Sequence, residues 1–208
     1  MGPTLIVIAK APVAGRVKTR LCPPCTPAQA AALAAAALRD TLAAASRCSA
    51  ARRVIALDGA MRLPPGFEVV PQRGAGLAER LAAAFADVGG PAFLIGMDTP
   101  QVTPRLLDAG LAASAYGDAA LGGALDGGYW GIGLRRPHPA VFRGVPMSAR
   151  DTAAVQRARL AELGLAPAIL PPLRDVDTIA DARAVAHAAP DTHFAAALAG
   201  LGVAQVAA

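Results

Sequence analysis

Short apolar runs and stretches of helical periodicity alternate along almost the whole chain. The first run, residues 5–9 (Leu-Ile-Val-Ile-Ala), is unbroken and rich in β-branched residues, the pattern of a strand buried on both faces. Comparable runs recur at 53–57, 67–70, 92–96, 119–125, 129–134 and 167–170. Between them the spacing predicts helices. Thr26-Pro27-Ala28-Gln29 has the form of a capping box with proline at the first helical position, opening a helix that continues to about residue 46. Leu77, Leu81, Ala84, Phe85 and Val88 fall on one helical face ahead of Gly89-Gly90. Residues 104–115, 151–163 and 178–188 complete the set, and the Ala-rich tail after Pro190 carries no readable pattern.

Strands alternating with helices at this spacing predict an α/β, three-layer sandwich, with a mostly parallel, Rossmann-like central sheet and helices on both faces. No internal repeat or long linker interrupts the alternation, so residues 1–208 read as a single domain. Ligands of such sheets bind beyond the carboxyl ends of the strands, which directs attention to the residues that follow each apolar run.

Composition narrows the classes. Of the 208 residues 54% are hydrophobic and 17% charged, which argues against disorder, and the formal charge of +5 favours an anionic partner. Only 4% are aromatic and no stripe of basic and aromatic residues appears, so nucleic acid is not expected as a partner. The first apolar run is too short for a signal peptide, Ile6 stands where a myristoylation signal needs Ser or Thr, and Arg39 and Asp40 interrupt the longest Ala-rich run. A cytoplasmic protein without a membrane partner is the expectation. Cys22 and Cys25 have redox or zinc spacing, but Cys48, His138, His187 and His193 offer no second pair, and incidental reduced thiols are expected.

The chemistry gathers after the strands. Lys10, Arg16, Lys18 and Arg20 lie within eleven residues of the first strand's end, on a loop where Gly15 lets backbone approach a ligand closely. That loop suits a polyanion such as a nucleotide di- or triphosphate, although it lacks the Walker spacing. Asp98 follows the fourth strand directly, ahead of Pro100, and is placed to hold a hard cation bridging phosphate oxygens. Thr103 before Pro104 makes a better helix cap than Asp98 does. Asp175 and Asp177 form a second acidic turn, beside the capping pair Thr178 and Asp181. Carboxylates from distant segments facing several cations fit a metal–nucleotide site. Asp126-Gly127-Gly128-Tyr129 reads either as a tight turn or as a substrate wall.

These segments together carry a resemblance. Ala9-Lys10-Ala11-Pro12, then Gly15-Arg16-Val17-Lys18-Thr19-Arg20-Leu21, Gly96-Met97-Asp98-Thr99-Pro100, Asp126-Gly127-Gly128-Tyr129 and Asp175-Val176-Asp177-Thr178 occur in the order found in a bacterial family of glycosyltransferase-A-fold proteins. Members are usually labelled glycosyltransferases and associated with arsenosugar or selenium-domain pathways. At longer range the chain is similar to 2-phospholactate guanylyltransferases and molybdenum-cofactor nucleotidyltransferases. The resemblance covers the chain to about residue 190. It implies a nucleotide-diphospho-sugar-transferase (GT-A) fold, Arg16, Lys18 and Arg20 around the phosphates, and Mg²⁺ or Mn²⁺ on Asp98 and Asp177. It also implies Gln72 near the nucleotide and the Asp126 turn, with Gly127, Gly128 and Tyr129, on the acceptor side. Gly131, Ala78 and the Ser148-Ala149-Arg150 segment depart from the family pattern.

Two reactions fit these residues. In the first, a phosphorylated or carboxylated small acceptor attacks a nucleoside triphosphate and pyrophosphate leaves, with Arg16 and Lys18 offsetting its charge beside the Asp98 metal. The density of cations in one loop favours this reading. In the second, a nucleotide-diphosphate sugar is the donor and Asp126 deprotonates an acceptor hydroxyl. A non-catalytic nucleotide-binding protein is the remaining alternative.

Overall fold

The computed structural model describes residues 2–202. Strands β1 (Thr4–Lys10), β2 (Arg52–Asp58), β3 (Glu68–Pro71), β4 (Ala92–Ile95), β5 (Ala119–Ala124), β6 (Tyr129–Leu134) and β7 (Pro167–Leu173) form one sheet in the order β3-β2-β1-β4-β6-β5-β7. All pairings are parallel except those of β6, which runs antiparallel to β4 and β5. The exception has a local cause. Only the short 125–128 turn joins β5 to β6, whereas a parallel crossover needs a dozen or more residues.

Helices α1 (Pro27–Arg47), α2 (Leu77–Val88), α3 (Pro104–Tyr116), α4 (Thr152–Glu162), α5 (Ile179–Ala188) and α6 (His193–Gly200) cover the sheet. The unbroken apolar run of β1 serves both faces. Leu5, Val7 and Ala9 pack with α1 and α3, while Ile6 packs with Leu81, Ala84 and Phe85 of α2 and Leu160 of α4. Thr26 and Gln29 form the capping box the sequence implies, and Thr103 and Thr178 cap α3 and α5.

Two glycines in the sheet are fixed by aromatic neighbours. A Cβ on Gly131 would lie 2.6 Å from the Phe93 ring, and one on Gly122 would lie 2.4 Å from the Trp130 indole. Phe93 and Trp130 meet edge to face, with Trp130 Nε1 donating to the Pro171 carbonyl at 3.0 Å. The departure at Gly131 is thus a packing exchange, in which Phe93 fills the space a larger residue would take.

The tail holds structure that the sequence pattern did not announce. Phe194 and Leu198, one turn apart on α6, are buried against Ala30, Leu33 and Ala37 of α1 and Val185 of α5. Asp40 on α1 accepts from the backbone N–H of His193 (3.0 Å) and Phe194 (2.8 Å) and contacts His193 Nδ1 at 2.7 Å, satisfying donors at the start of α6. The last part of the expected featureless tail, residues 203–208, lies outside the described residues. Cys22, Cys25 and Cys48 are free thiols, and no helix among the described residues is long and apolar enough to cross a membrane.

Candidate active site

A cleft of about 660 Å³ opens at the carboxyl ends of the central strands. Its floor is made by the residues that end β1 and β4, and two loop contacts close it. The Val176 N–H donates to the Asp98 carbonyl at 3.0 Å, and Gln101 Nε2 donates to the Arg174 carbonyl at 2.7 Å. These bonds draw the 175–177 turn, which follows β7 at the far edge of the sheet, onto the end of β4.

Lys18 stands at the centre. Its backbone is left-handed (φ 49°, ψ 38°), an uncommon conformation for a residue with a Cβ, at the start of the single 3₁₀ turn Thr19–Leu21. From there the side chain turns inward, 8% exposed, and its ammonium meets Asp98 Oδ1 at 2.8 Å and Asp177 Oδ1 at 3.2 Å and donates to the Val176 carbonyl. Burial opposes its charge, but Asp98 and Asp177 outweigh burial and hold its pKa above the ordinary lysine value. Arg20 Nη1 reaches Asp177 Oδ2 at 2.9 Å from a largely exposed position.

The remaining cations divide the cleft. Lys10, Arg16 and Arg80 line it, and Lys10 and Arg16 make no ion pair among the described residues. Lys10 and Arg16 also border an adjoining hollow of about 180 Å³ with Asp58 and Gly59. Arg80, on α2, contacts Asp58 and Gln72, each at 3.4 Å. Asp126, Gly128 and Tyr129, then Met147, Ser148 and Thr152, and Asp175 line the other side, none of them a cation, while Lys18 and Arg20 reach across to Asp177.

Asp175 is the residue that sequence reasoning passed over in favour of Asp177. Its Oδ1 is buried without a hydrogen-bond partner, as is the Thr99 hydroxyl next to Asp98. Burial raises the Asp175 pKa first, Asp98 and Asp126 add to the effect while Lys18 opposes it, and the result is about 7. The acidity of the turn was visible in the sequence; which carboxylate faced inward was not. Arg80 and Thr99 gave no signal, because each reaches the cleft only through tertiary packing.

Several expected site residues have other occupations. The Lys18 ammonium is engaged with protein oxygens, donating to the Val176 carbonyl and to Asp177 Oδ1 and pairing with Asp98 Oδ1. Gln72 lines the cleft, but its Nε2 donates to the carbonyls of Ala9 (2.8 Å) and Ala56 (3.0 Å), fastening the strand ends instead of offering a free amide. Gly15 is a positive-φ turn residue (75°) outside the cleft wall. Gly127 also stays off the wall: its φ is 94°, and a Cβ there would lie 1.8 Å from the Arg150 carbonyl oxygen, so it serves close backbone packing. The Asp126 Oδ1 accepts from the Gly128 N–H at 2.8 Å. The Tyr129 hydroxyl lies 3.4 Å from Gln156 Oε1, and burial pushes its pKa upward.

Asp98 and Asp177 are the residues that could hold a divalent cation: they share one cationic centre, the Lys18 ammonium, on which the Val176 carbonyl also converges, and among the described residues no group of three or more His, Cys, Asp or Glu is gathered as a metal site. An all-oxygen donor set of this kind matches Mg²⁺ or Mn²⁺.

The family model described as "Uncharacterized protein conserved in bacteria (DUF2064)" matches residues 28–149. A crystal structure from Desulfovibrio desulfuricans G20, provisionally named a nucleotide-diphospho-sugar transferase, is similar to this chain with a TM-score of 0.87 at 28% identity, covering 98% of this chain and 97% of that one. The manganese complex of Rv0371c from Mycobacterium tuberculosis H37Rv has a TM-score of 0.55 at 22% identity, covering 89% and 98%. A CMP:2-keto-3-deoxy-manno-octonic acid synthetase complexed with CTP has a TM-score of 0.53 at 15% identity, covering 92% and 100%. The last two show a shared fold. No curated protein sequence matches the chain.

Proposed function

This chain belongs to the DUF2064 family, and from that premise we propose that it is a divalent-metal-dependent transferase that moves a sugar from a nucleotide-diphosphate donor to a hydroxyl acceptor. One observation carries the choice of reaction. The cations that line the cleft come from β1, its loop and α2, whereas the lining residues of the 126–129 turn and the 147–152 segment are acidic or uncharged. Carboxylates and hydroxyls suit the hydroxyl groups of a sugar and its acceptor. A phosphorylated or carboxylated acceptor, the one expected from the sequence, would meet no cation among those lining residues.

The residues divide the work. Lys10 and Arg16 meet the phosphate chain at the end of β1, where neither makes an ion pair among the described residues. Asp98 and Asp177 would hold the metal, which when bound would supply positive charge to the departing nucleoside diphosphate. Asp126 keeps one carboxylate oxygen on the Gly128 N–H, which leaves Oδ2 to take the proton of the attacking hydroxyl.

A second reading, nucleotidyl transfer from a nucleoside triphosphate, is favoured by the convergence of two carboxylates from distant segments beside a basic loop. The test incubates the protein with Mg²⁺, a panel of nucleotide sugars or nucleoside triphosphates, and polyol or phosphorylated acceptors. Acceptor-dependent release of nucleoside diphosphate, lost in Asp98→Asn, is the expected result. Pyrophosphate release instead establishes the second reading, and silence in both assays overturns the transferase assignment.

A further inference from the structure

We propose that Lys18 is a positioning residue that competes with the metal for Asp98 and Asp177, and that its displacement couples metal entry to recruitment of the phosphate chain. The inference rests on the metal-dependent reading above and assigns its central lysine a role before phosphate arrives, as the occupant of the carboxylate pair that the metal must displace.

Shared oxygens set the competition. The ammonium pairs with Asp98 Oδ1 at 2.8 Å and donates to Asp177 Oδ1 at 3.2 Å and to the Val176 carbonyl. A Mg²⁺ ligated through both of these Oδ1 atoms at about 2.0–2.1 Å leaves no space for an ammonium seated between them. In that arrangement the lysine must leave. The backbone of Lys18 is held in the left-handed region, with its carbonyl accepting from the Leu21 N–H at 3.0 Å, so any displacement of the ammonium is made by rotation about the four-carbon stem and not by the Cα. Arg20, the other cation on Asp177, is 70% exposed and yields its contact readily.

This arrangement does two things. Until the metal enters, the ammonium keeps two carboxylates together that would otherwise repel. Once displaced, it carries its charge into the cleft beside Lys10 and Arg16, where phosphate oxygens are its available partners. Metal and phosphate chain then bind with positive coupling, and the coupling is reciprocal.

The test begins on the wild-type protein without nucleotide. Side-chain ¹⁵Nζ resonances of lysine are followed during Mg²⁺ titration, and the Lys18 signal is expected to move in step with saturation of the metal site. Mn²⁺ affinity is then measured by paramagnetic resonance for wild type, Lys18→Met and Asp98→Asn, with and without inorganic pyrophosphate. Lys18→Met is expected to bind Mn²⁺ about tenfold more tightly than wild type on its own and to lose the enhancement by pyrophosphate, a factor within the usual range of site–site coupling. Metal saturation of the wild type with an unmoved Lys18 signal overturns the proposal even if Lys18→Met fails to fold. So does an unchanged or weakened Mn²⁺ affinity in a folded Lys18→Met. The underlying reading fails separately: Mn²⁺ binding that is absent in wild type, or indifferent to Asp98→Asn, removes the metal site and this inference with it.

Discussion

Asp175→Asn tests the electrostatics of the cleft without reference to any substrate. The Asp175 carboxyl titrates near 7 in the fold against 3.8 for an ordinary aspartate, because burial leaves its Oδ1 without a donor and because Asp98 and Asp126 stand close. A group with a raised folded pKa contributes stability that is fully present below the unfolded value and is lost as pH rises through the folded value. Asp175 therefore weakens the fold progressively between about pH 4 and pH 7. Three units correspond to about 4 kcal/mol, and water entering the open cleft reduces this to about 2 kcal/mol. Asparagine keeps the shape and removes the titration. Urea unfolding of wild type and variant, in EDTA from pH 5 to pH 8, is expected to show the variant gaining about 1–2 kcal/mol on wild type across that interval. Taking the difference cancels titrations elsewhere in the chain. Parallel curves would refute the assignment of a buried, donor-poor carboxyl to this position.

Asp98→Asn removes one of two carboxylates from Lys18 while Asp177 and Val176 stay in place. Stability is expected to fall by about 1–3 kcal/mol with the circular dichroism spectrum retained, and turnover to fall by at least about 10³-fold. Gly127→Ala places a Cβ against the Arg150 carbonyl at positive φ and is expected to destabilise by about 3 kcal/mol or more in thermal unfolding. Gly144→Ala, at φ 76° with open space around it, is expected to lose only about 1 kcal/mol by the same measurement. Asp40→Ala unties the start of α6, and hydrogen exchange of the Phe194 and Leu198 amides is expected to accelerate at least about tenfold while the amides of β1 keep their protection.

What the sequence determined by itself is what depends on near neighbours in the chain. The two-faced burial of β1 and the capping boxes at Thr26 and Thr178 follow from side chains a few positions apart, and the seven strands were legible for that reason, whereas the Asp126 turn stayed open between a tight turn and a substrate wall. Their order already implied that Lys18 and Asp98 share one sheet edge. The tertiary structure alone decided where side chains of the long-range contacts point. Lys18 turns in toward Asp98 and Asp177 because a backbone bond from Val176 brings the second acidic turn onto β4, and no local pattern encodes a bond between residues so far apart. The same holds for α6, whose two apolar anchors acquire meaning only against α1, and for the side of the cleft lined by Asp126, Ser148 and Asp175, which exists only once β6 and β7 flank β5.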